Sequence, residues 1–464
     1  KSKAMIESDT ICAISTPPGC GGIAVVRISG ENAIGIAGRI WKGKALSDVR
    51  ARTSTLGDIV DPATGDTTDT ALAMVMHAPH SFTGEDTVEF SVHGSTWIQS
   101  EILRLLIDCG CRMAQPGEFT RRAFASGKMD LAQAEAVADV IASTSKESHR
   151  IAAQQMRGGI SRRLGELRSQ LLDLSALLEL ELDFSEEDVE FASRTRLLDI
   201  AHNVKKEVAT LAASFSKGKA IKEGIPVAIV GNTNAGKSTL INALLEDDRA
   251  IVSDIPGTTR DTIEDTVRID GMEFRLVDTA GIRTTDDTIE ALGIERSLKA
   301  LRQARIAIAV IDTTTQPEDS GQILRRVEQE KSDDTLIVVA LNKCDSGTAA
   351  PHRLAVQSMT PNARIIELSA LHGSGVDTLR QQLLELADRP ALNDIVVSNA
   401  RHYEALTLAM ESITHVIDGL SADLSGVLIA EDLRQTLHHL GEITGDITTP
   451  EILSTIFSRF CIGK

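Results

Sequence analysis

Gly231-Asn232-Thr233-Asn234-Ala235-Gly236-Lys237-Ser238 places two glycines, a lysine and a serine at the spacing of a phosphate-binding loop. An apolar run at 227–230 precedes it and a helical pattern at 239–245 follows. Glycines let the backbone curl so that successive N–H groups converge on phosphate oxygens, and the helix N-terminus adds partial positive charge. Asn234, Ala235, Gly236, Lys237, Ser238 and Thr239 are therefore expected to hold a nucleoside triphosphate. Lys237 can reach the β- and γ-phosphates, and the Ser238 hydroxyl can ligate Mg²⁺.

Downstream pieces narrow the ligand to GTP. Asp278-Thr279-Ala280-Gly281 follows an apolar strand, so its Asp can hold Mg²⁺ through water and its Gly N–H can meet the γ-phosphate. Asn342-Lys343-Cys344-Asp345 offers a carboxylate that accepts both N1–H and the 2-amino N–H of guanine; adenine lacks that donor pair. Ser369-Ala370-Leu371 suits a backbone contact to guanine O6. Between the first two pieces, residues 253–261 form a switch candidate expected to close on the nucleotide through Ser253, Thr258 and Thr259, with Thr259 completing the Mg²⁺ shell.

Ile282 stands where many regulatory GTPases carry a water-orienting Gln. Lys237, Thr259 and Glu290 are the catalytic candidates, Glu290 as the group that orients or polarises water. Asn234 can offer a side-chain carbonyl to a monovalent cation beside the phosphates, completed by the Ser253 and Ile255 carbonyls. On spacing alone, Asn234 serves as well as a loop hydrogen-bonder, and Glu290 as a solvated helix residue.

These motifs need a scaffold, and 464 residues supply about three domains. Strands alternating with helices over 221–389 predict a three-layer α/β GTPase domain, with 267–277 a hairpin turning at Asp270-Gly271. Helical patterns flank it. Leu164, Leu167, Leu171, Leu174 and Leu178 form a heptad-like stripe, Asp130 caps a helix through Ala134, Val137 and Ile141, and Leu424, Val427, Leu428 and Leu433 recur at helical spacing. The expected fold is multidomain: an α+β N-terminal domain (1–126), an all-α domain built from two segments (127–220 and 390–464), and the inserted α/β P-loop GTPase domain (221–389). Two separate helical caps are the alternative to one split domain.

A net charge of −18 opposes non-specific binding of nucleic acid or membrane by the whole molecule, leaving Arg121-Arg122 and 157–168 as local basic candidates. Six cysteines without zinc spacing, and no apolar run of membrane length, predict a cytoplasmic protein without a membrane partner.

Pro17-Pro18-Gly19-Cys20-Gly21-Gly22, Phe82-Thr83-Gly84-Glu85-Asp86, Pro116-Gly117-Glu118-Phe119-Thr120-Arg121-Arg122-Ala123-Phe124, Asp130-Leu131-Ala132-Gln133-Ala134-Glu135-Ala136 and Cys461-Ile462-Gly463-Lys464 together resemble the MnmE (TrmE) family of tRNA modification GTPases along the whole chain. The resemblance implies a folate-binding N-terminal domain that homodimerises, a split helical domain and an inserted GTPase domain. It implies K⁺-stimulated GTP hydrolysis. With an FAD-dependent MnmG-type partner, an aminomethyl-type group is added at C5 of the wobble uridine of certain tRNAs from a tetrahydrofolate derivative. By the same resemblance Arg27, Glu89, Lys128 and Lys464 line the folate pocket, Asn234, Ser253, Ile255 and Thr258 hold K⁺, Glu290 is the catalytic glutamate and Cys461 a functional thiol. A carboxylate such as Glu89 suits the amidine-like pterin edge, and Arg27 or Lys128 the anionic tail. Without the resemblance, Arg27 and Glu89 read as an ordinary surface pair, and Cys461 as a structural thiol. Cys20 and Pro256 depart from the family pattern. The competing function is a regulatory GTPase switch of the ribosome-assembly type, which has no need of folate.

Overall fold

The computed structural model describes residues 9–183, 194–249, 265–278, 299–361, 363–391, 393–422 and 424–463. Contacts divide the chain into two units, Lys1–Ile141 with Ala153–Lys206 and Ala405–Lys464, and Ala142–Ala152 with Glu207–Glu404.

Alternating burial builds the sheet of the first unit. Its strands are β1 (Ile11–Ile14), β2 (Gly21–Ser29), β3 (Trp41–Gly43), β4 (Ser54–Val60), β5 (Thr67–Met76), β6 (Thr87–Gly94) and β7 (Arg112–Met113), in the order β3-β4-β5-β6-β2-β1-β7. Val26, Ile28, Ala73, Val75, Val88 and Phe90 point to one face, where Ile36 and Ala37 of helix Ala33–Arg39 and Ile102, Leu105 and Leu106 of helix Thr96–Asp108 close the core. Period-2 alternation sends their neighbours to the opposite face. There Arg27, Glu89, Met74 and Ser54 make one cross-strand row, and Val25, Ser91, Leu72 and Leu56 the next.

The helices of this unit follow their leucines. In helix Gly159–Asp183 the stripe Leu164, Leu167, Leu171, Leu174 and Leu178 is buried. Asp130 does cap helix Leu131–Ala142: its carboxylate accepts from the Gln133 N–H at 2.8 Å, and Gln133 returns the bond to the Asp130 N–H at 3.0 Å. The expected helical spacing near 424–433 falls on helix Gly426–Thr444, though Leu424 precedes it. Leu433 of that set is buried, with Ile429, Ala430, Leu440 and Ile443, whereas Val427 and Leu428 are exposed. All of these positions fit a 3.6-residue period, so spacing alone does not say which of them packing buries.

In the second unit, β8 (Ile225–Val230), β9 (Asp265–Ile269), β10 (Met272–Asp278), β11 (Ile306–Asp312), β12 (Leu336–Asn342) and β13 (Arg364–Glu367) form a sheet ordered β13-β12-β11-β8-β10-β9. Only β9 runs antiparallel, joined to β10 by the expected Asp270-Gly271 turn. Helices Lys237–Arg249 and Val376–Leu386 cover one face and helices Pro317–Glu330 and Ala349–Met359 the other, giving three layers. Ile151, from helix Lys146–Met156, enters the first of these cores, so residues 142–152 pack with this unit.

Candidate functional site

The phosphate loop lies between the end of β8 and helix Lys237–Arg249, at the carboxyl edge of the parallel strands. Two glycines are required by what approaches them. A Cβ on Gly231 would lie 2.4 Å from the Val310 carbonyl, and one on Gly236 2.3 Å from the Asn342 amide nitrogen. Asn234 takes the left-handed conformation (φ 61°), which asparagine tolerates better than most residues. The Lys237 ammonium is buried and donates to the Gly231 and Asn232 carbonyls, both at 2.8 Å. Phosphate oxygens can take over these bonds, so the residues present fit a triphosphate. Ser238 and Thr239 are exposed in the first helical turn, where Ser238 can present its hydroxyl to a phosphate-bound Mg²⁺.

A second loop pair faces the first. The buried Asn342 donates to the Ala235 carbonyl (2.8 Å) and accepts from the Ala370 N–H (2.9 Å), tying the phosphate loop to the Ser369-Ala370-Leu371 loop. Lys343 is left-handed (φ 64°), and its ammonium pairs with Asp312 at 2.6 Å. Burial alone would raise the Asp312 pKa, but the bonds from Lys343 and Thr314, with the Lys343 charge, together more than offset it and hold the carboxyl below its ordinary range. The hydrogen bond from the Ser346 hydroxyl likewise lowers Asp345, keeping it ionised, as an acceptor for guanine must be. Leu371 is 76% exposed, an apolar surface available to a flat base.

In the first unit Arg27 and Glu89 are cross-strand partners, with Arg27 Nε donating to Glu89 at 2.7 Å. Both are half-buried, their side chains being 18% and 23% exposed. The guanidinium lies 5.6 Å from the ring centres of both Phe82 and Phe119, and also donates to the Gly463 carbonyl at 3.4 Å. Ser15 donates to the same carbonyl at 3.2 Å, and the Gly117 N–H donates to the Cys461 carbonyl at 3.4 Å. Gly463 is left-handed (φ 95°), and a Cβ there would fall 2.2 Å from the Ile14 carbonyl.

Buried charge underpins this corner. Glu118 accepts from Arg112 (2.8 Å), Arg122 (3.0 Å) and the Gln115 N–H (2.8 Å), while Arg122 also reaches Asp9 and Glu85. Arg122 is thus enclosed by carboxylates, correcting its reading as part of a basic patch. Arg163 and Arg168 are compensated as well, by Glu166 and Asp446.

Comparison with known proteins decides the family. Residues 10–128 match the family described as GTP-binding protein TrmE N-terminus, and residues 131–461 the MnmE helical domain. The tRNA modification GTPase MnmE of Parabacteroides distasonis is 53% identical over 98% of this chain and 100% of its own length. That of Bacteroides fragilis is 48% identical over 99% and 100%. The chain belongs to the MnmE family. It is therefore a GTP hydrolase that acts in tRNA modification. Among solved structures, Era from Aquifex aeolicus bound to GDP.AlF4− is 27% identical, with a TM-score of 0.28, over 40% of this chain and 65% of that one; a score so low has no weight here.

For this MnmE-family chain the structure brings together Asn234, Ala235, Gly236, Lys237, Asn342, Lys343, Asp345, Ser369, Ala370 and Leu371 around one edge of the sheet, and β10 delivers Asp278 to the same edge. Ser253, Ile255, Thr258, Thr259, Thr279, Ala280, Gly281, Glu290 and Lys464 lie outside the described residues. Lys128 is exposed, and its stem lies against Gly84. Sequence reasoning missed Asp312, which stands at the end of a buried strand, the usual place for a site residue. It also missed Phe82 and Phe119 as the walls of Arg27, for which no spacing signal exists.

Proposed function

We propose that this GTPase is K⁺-stimulated and, with an FAD-dependent MnmG-type partner, adds an aminomethyl-type group at C5 of the wobble uridine of certain tRNAs, drawing carbon from a tetrahydrofolate derivative. One observation carries the reading: the Arg27–Glu89 pair, walled by two phenylalanine rings under the Cys461–Gly463 backbone. A carboxylate already aligned by a guanidinium can accept both donors of a pterin edge. The aromatic rings offer stacking surface, and Lys128 and Lys464 supply cations for an anionic tail. GTP hydrolysis would then depend on Lys237, Thr259 and Glu290, with Mg²⁺ held by Ser238 and Thr259.

A homodimer is part of the same reading. Leu56, Leu72 and Met74 are 67%, 45% and 38% exposed and share the Arg27–Glu89 side of the sheet, so a second copy laid there would cover apolar surface and enclose the pocket. For K⁺, the Asn234 side chain makes no hydrogen bond among the described residues, leaving its carbonyl for a cation with Ser253, Ile255 and Thr258. Among the described residues no helix is long and apolar enough to cross a membrane. Because its substrate would be tRNA, the reaction belongs in the cytoplasm on this reading.

Titration of the full chain with a tetrahydrofolate derivative tests the central reading. Saturable binding that R27A abolishes is expected; no binding would return the chain to a switch role. Hydrolysis in matched KCl and NaCl tests the cation, with K⁺ stimulation expected and its loss in N234A.

A further inference from the structure

The β9–β10 hairpin occupies a special place in the chain. Upstream it is joined to residues 250–264, which include Thr259. Downstream β10 ends on Asp278 and continues into residues 279–298, which include Glu290. Its closed end, Asp270-Gly271, is gripped from outside the α/β fold. The Glu147 N–H donates to the Gly271 carbonyl at 3.1 Å. Gly271 is left-handed (φ 80°), and a Cβ there would lie 2.9 Å from the Lys146 Cβ, so the stem of Lys146 packs directly on the turn.

The grip is fastened by charge. Glu147 is 1% exposed and accepts from Arg150 at 2.8 Å and from Arg389 at 2.5 and 3.0 Å. Arg389 extends its remaining nitrogen to Asp270 at 3.0 Å, so one guanidinium holds the buried carboxylate and the turn together. Burial pushes the Glu147 carboxyl up, but the two arginines pull it further down, so it stays ionised. Ile151, one turn on, anchors the same helix in the core beneath β10. A surface hairpin does not need a buried ion pair to stay folded, and such a pair is weak evidence for stability in itself. Fixing the position of a strand is a use that the geometry does supply.

We propose that Glu147 is a positioning residue for GTP hydrolysis: through Gly271 and Arg389 it sets where β10 delivers Asp278 and the chain that follows. Among the described residues its hydrogen bonds go to Arg150, Arg389 and Gly271, none of them in the phosphate or guanine loops, so it acts on the chemical step and not on nucleotide affinity.

The test uses the full chain carrying E147Q, which keeps the shape and removes the charge. Single-turnover GTP hydrolysis should slow by about 10–10²-fold, the scale of a small misplacement of reacting groups. Affinity for GDP, read with a fluorescent analogue, should stay within about twofold, because Lys237, Asn342 and Asp345 are untouched. R389K keeps the charge but loses the fork to Asp270, and should slow hydrolysis in the same direction; it carries the test if E147Q does not fold. Unchanged hydrolysis in the folded variants would overturn the proposal. So would a parallel loss of hydrolysis, GDP affinity and thermal stability, which would make Glu147 a structural residue only.

Discussion

The guanine-nucleotide pocket and the Arg27–Glu89 corner that we propose as a pterin site are assembled by opposite means. The first is assembled from loops at the ends of parallel strands, each loop a short contiguous motif, and most of its expected contacts are backbone N–H groups. The second is assembled from side chains at positions 27, 82, 89 and 119 with the backbone of 461–463, gathered by sheet register and a returning chain end. Backbone recognition leaves a signature in sequence because glycine and lysine spacings are dictated by it. Side-chain recognition through topology leaves none beyond the identity of the residues.

Five substitutions would break or sharpen that contrast. The largest effect is expected for E118A beneath the corner, which takes from Arg112 and Arg122 the buried carboxylate between them and leaves Asp9 and Glu85 to hold them. It should cost about 3–5 kcal/mol in thermal or urea unfolding. The pH sign is defined. Burial raises the Glu118 carboxyl, but Arg112, the Gln115 N–H and Arg122 lower it further, so its folded pKa lies below the ordinary 4.5. Its stabilisation is complete above that value and is lost as pH falls through the folded one, so E118A and the unmodified chain should converge in acid.

Next, K237A should reduce single-turnover GTP hydrolysis by about 10²–10³-fold while leaving binding of a tetrahydrofolate derivative intact. A loss of both would show that the two sites are not separable. E89Q should weaken that binding by about 1.5–3 kcal/mol in calorimetric titration, without altering GTP hydrolysis by the isolated chain. The smallest effect belongs to L428S, on the exposed side of helix Gly426–Thr444: within about 0.5 kcal/mol in urea unfolding. The corresponding L433A, in the buried stripe, should cost about 2–5 kcal/mol.

The α/β unit was legible almost strand by strand, since each buried strand reads as an apolar run ending in a site residue, and Asp270-Gly271 announces its own turn. Legibility failed where two helical faces carried equal apolar content, as at 424–433, because periodicity does not say which face finds a partner. It failed again at Arg121-Arg122, where a basic pair in sequence met Glu118, Asp9 and Glu85 in space. The docking of Glu147 on the hairpin was invisible for a similar reason: nothing local marks a carboxylate whose arginine is 242 residues away.

The contact between Ser15 and Gly463 spans 448 positions of chain. Closing so large a loop costs little more than closing one half its length, about 0.6 kcal/mol per doubling, but the encounter itself must await the folding of what lies between. The seven-stranded sheet draws all its strands from residues 11–113 and can form early. Arg27 then stands complete in its row but without its carbonyl partner until the rest of the chain has folded and returned. In refolding, far-ultraviolet signal from the sheet should therefore precede recovery of the folate binding that we propose, and the lag between them measures the folding time of everything inserted in between.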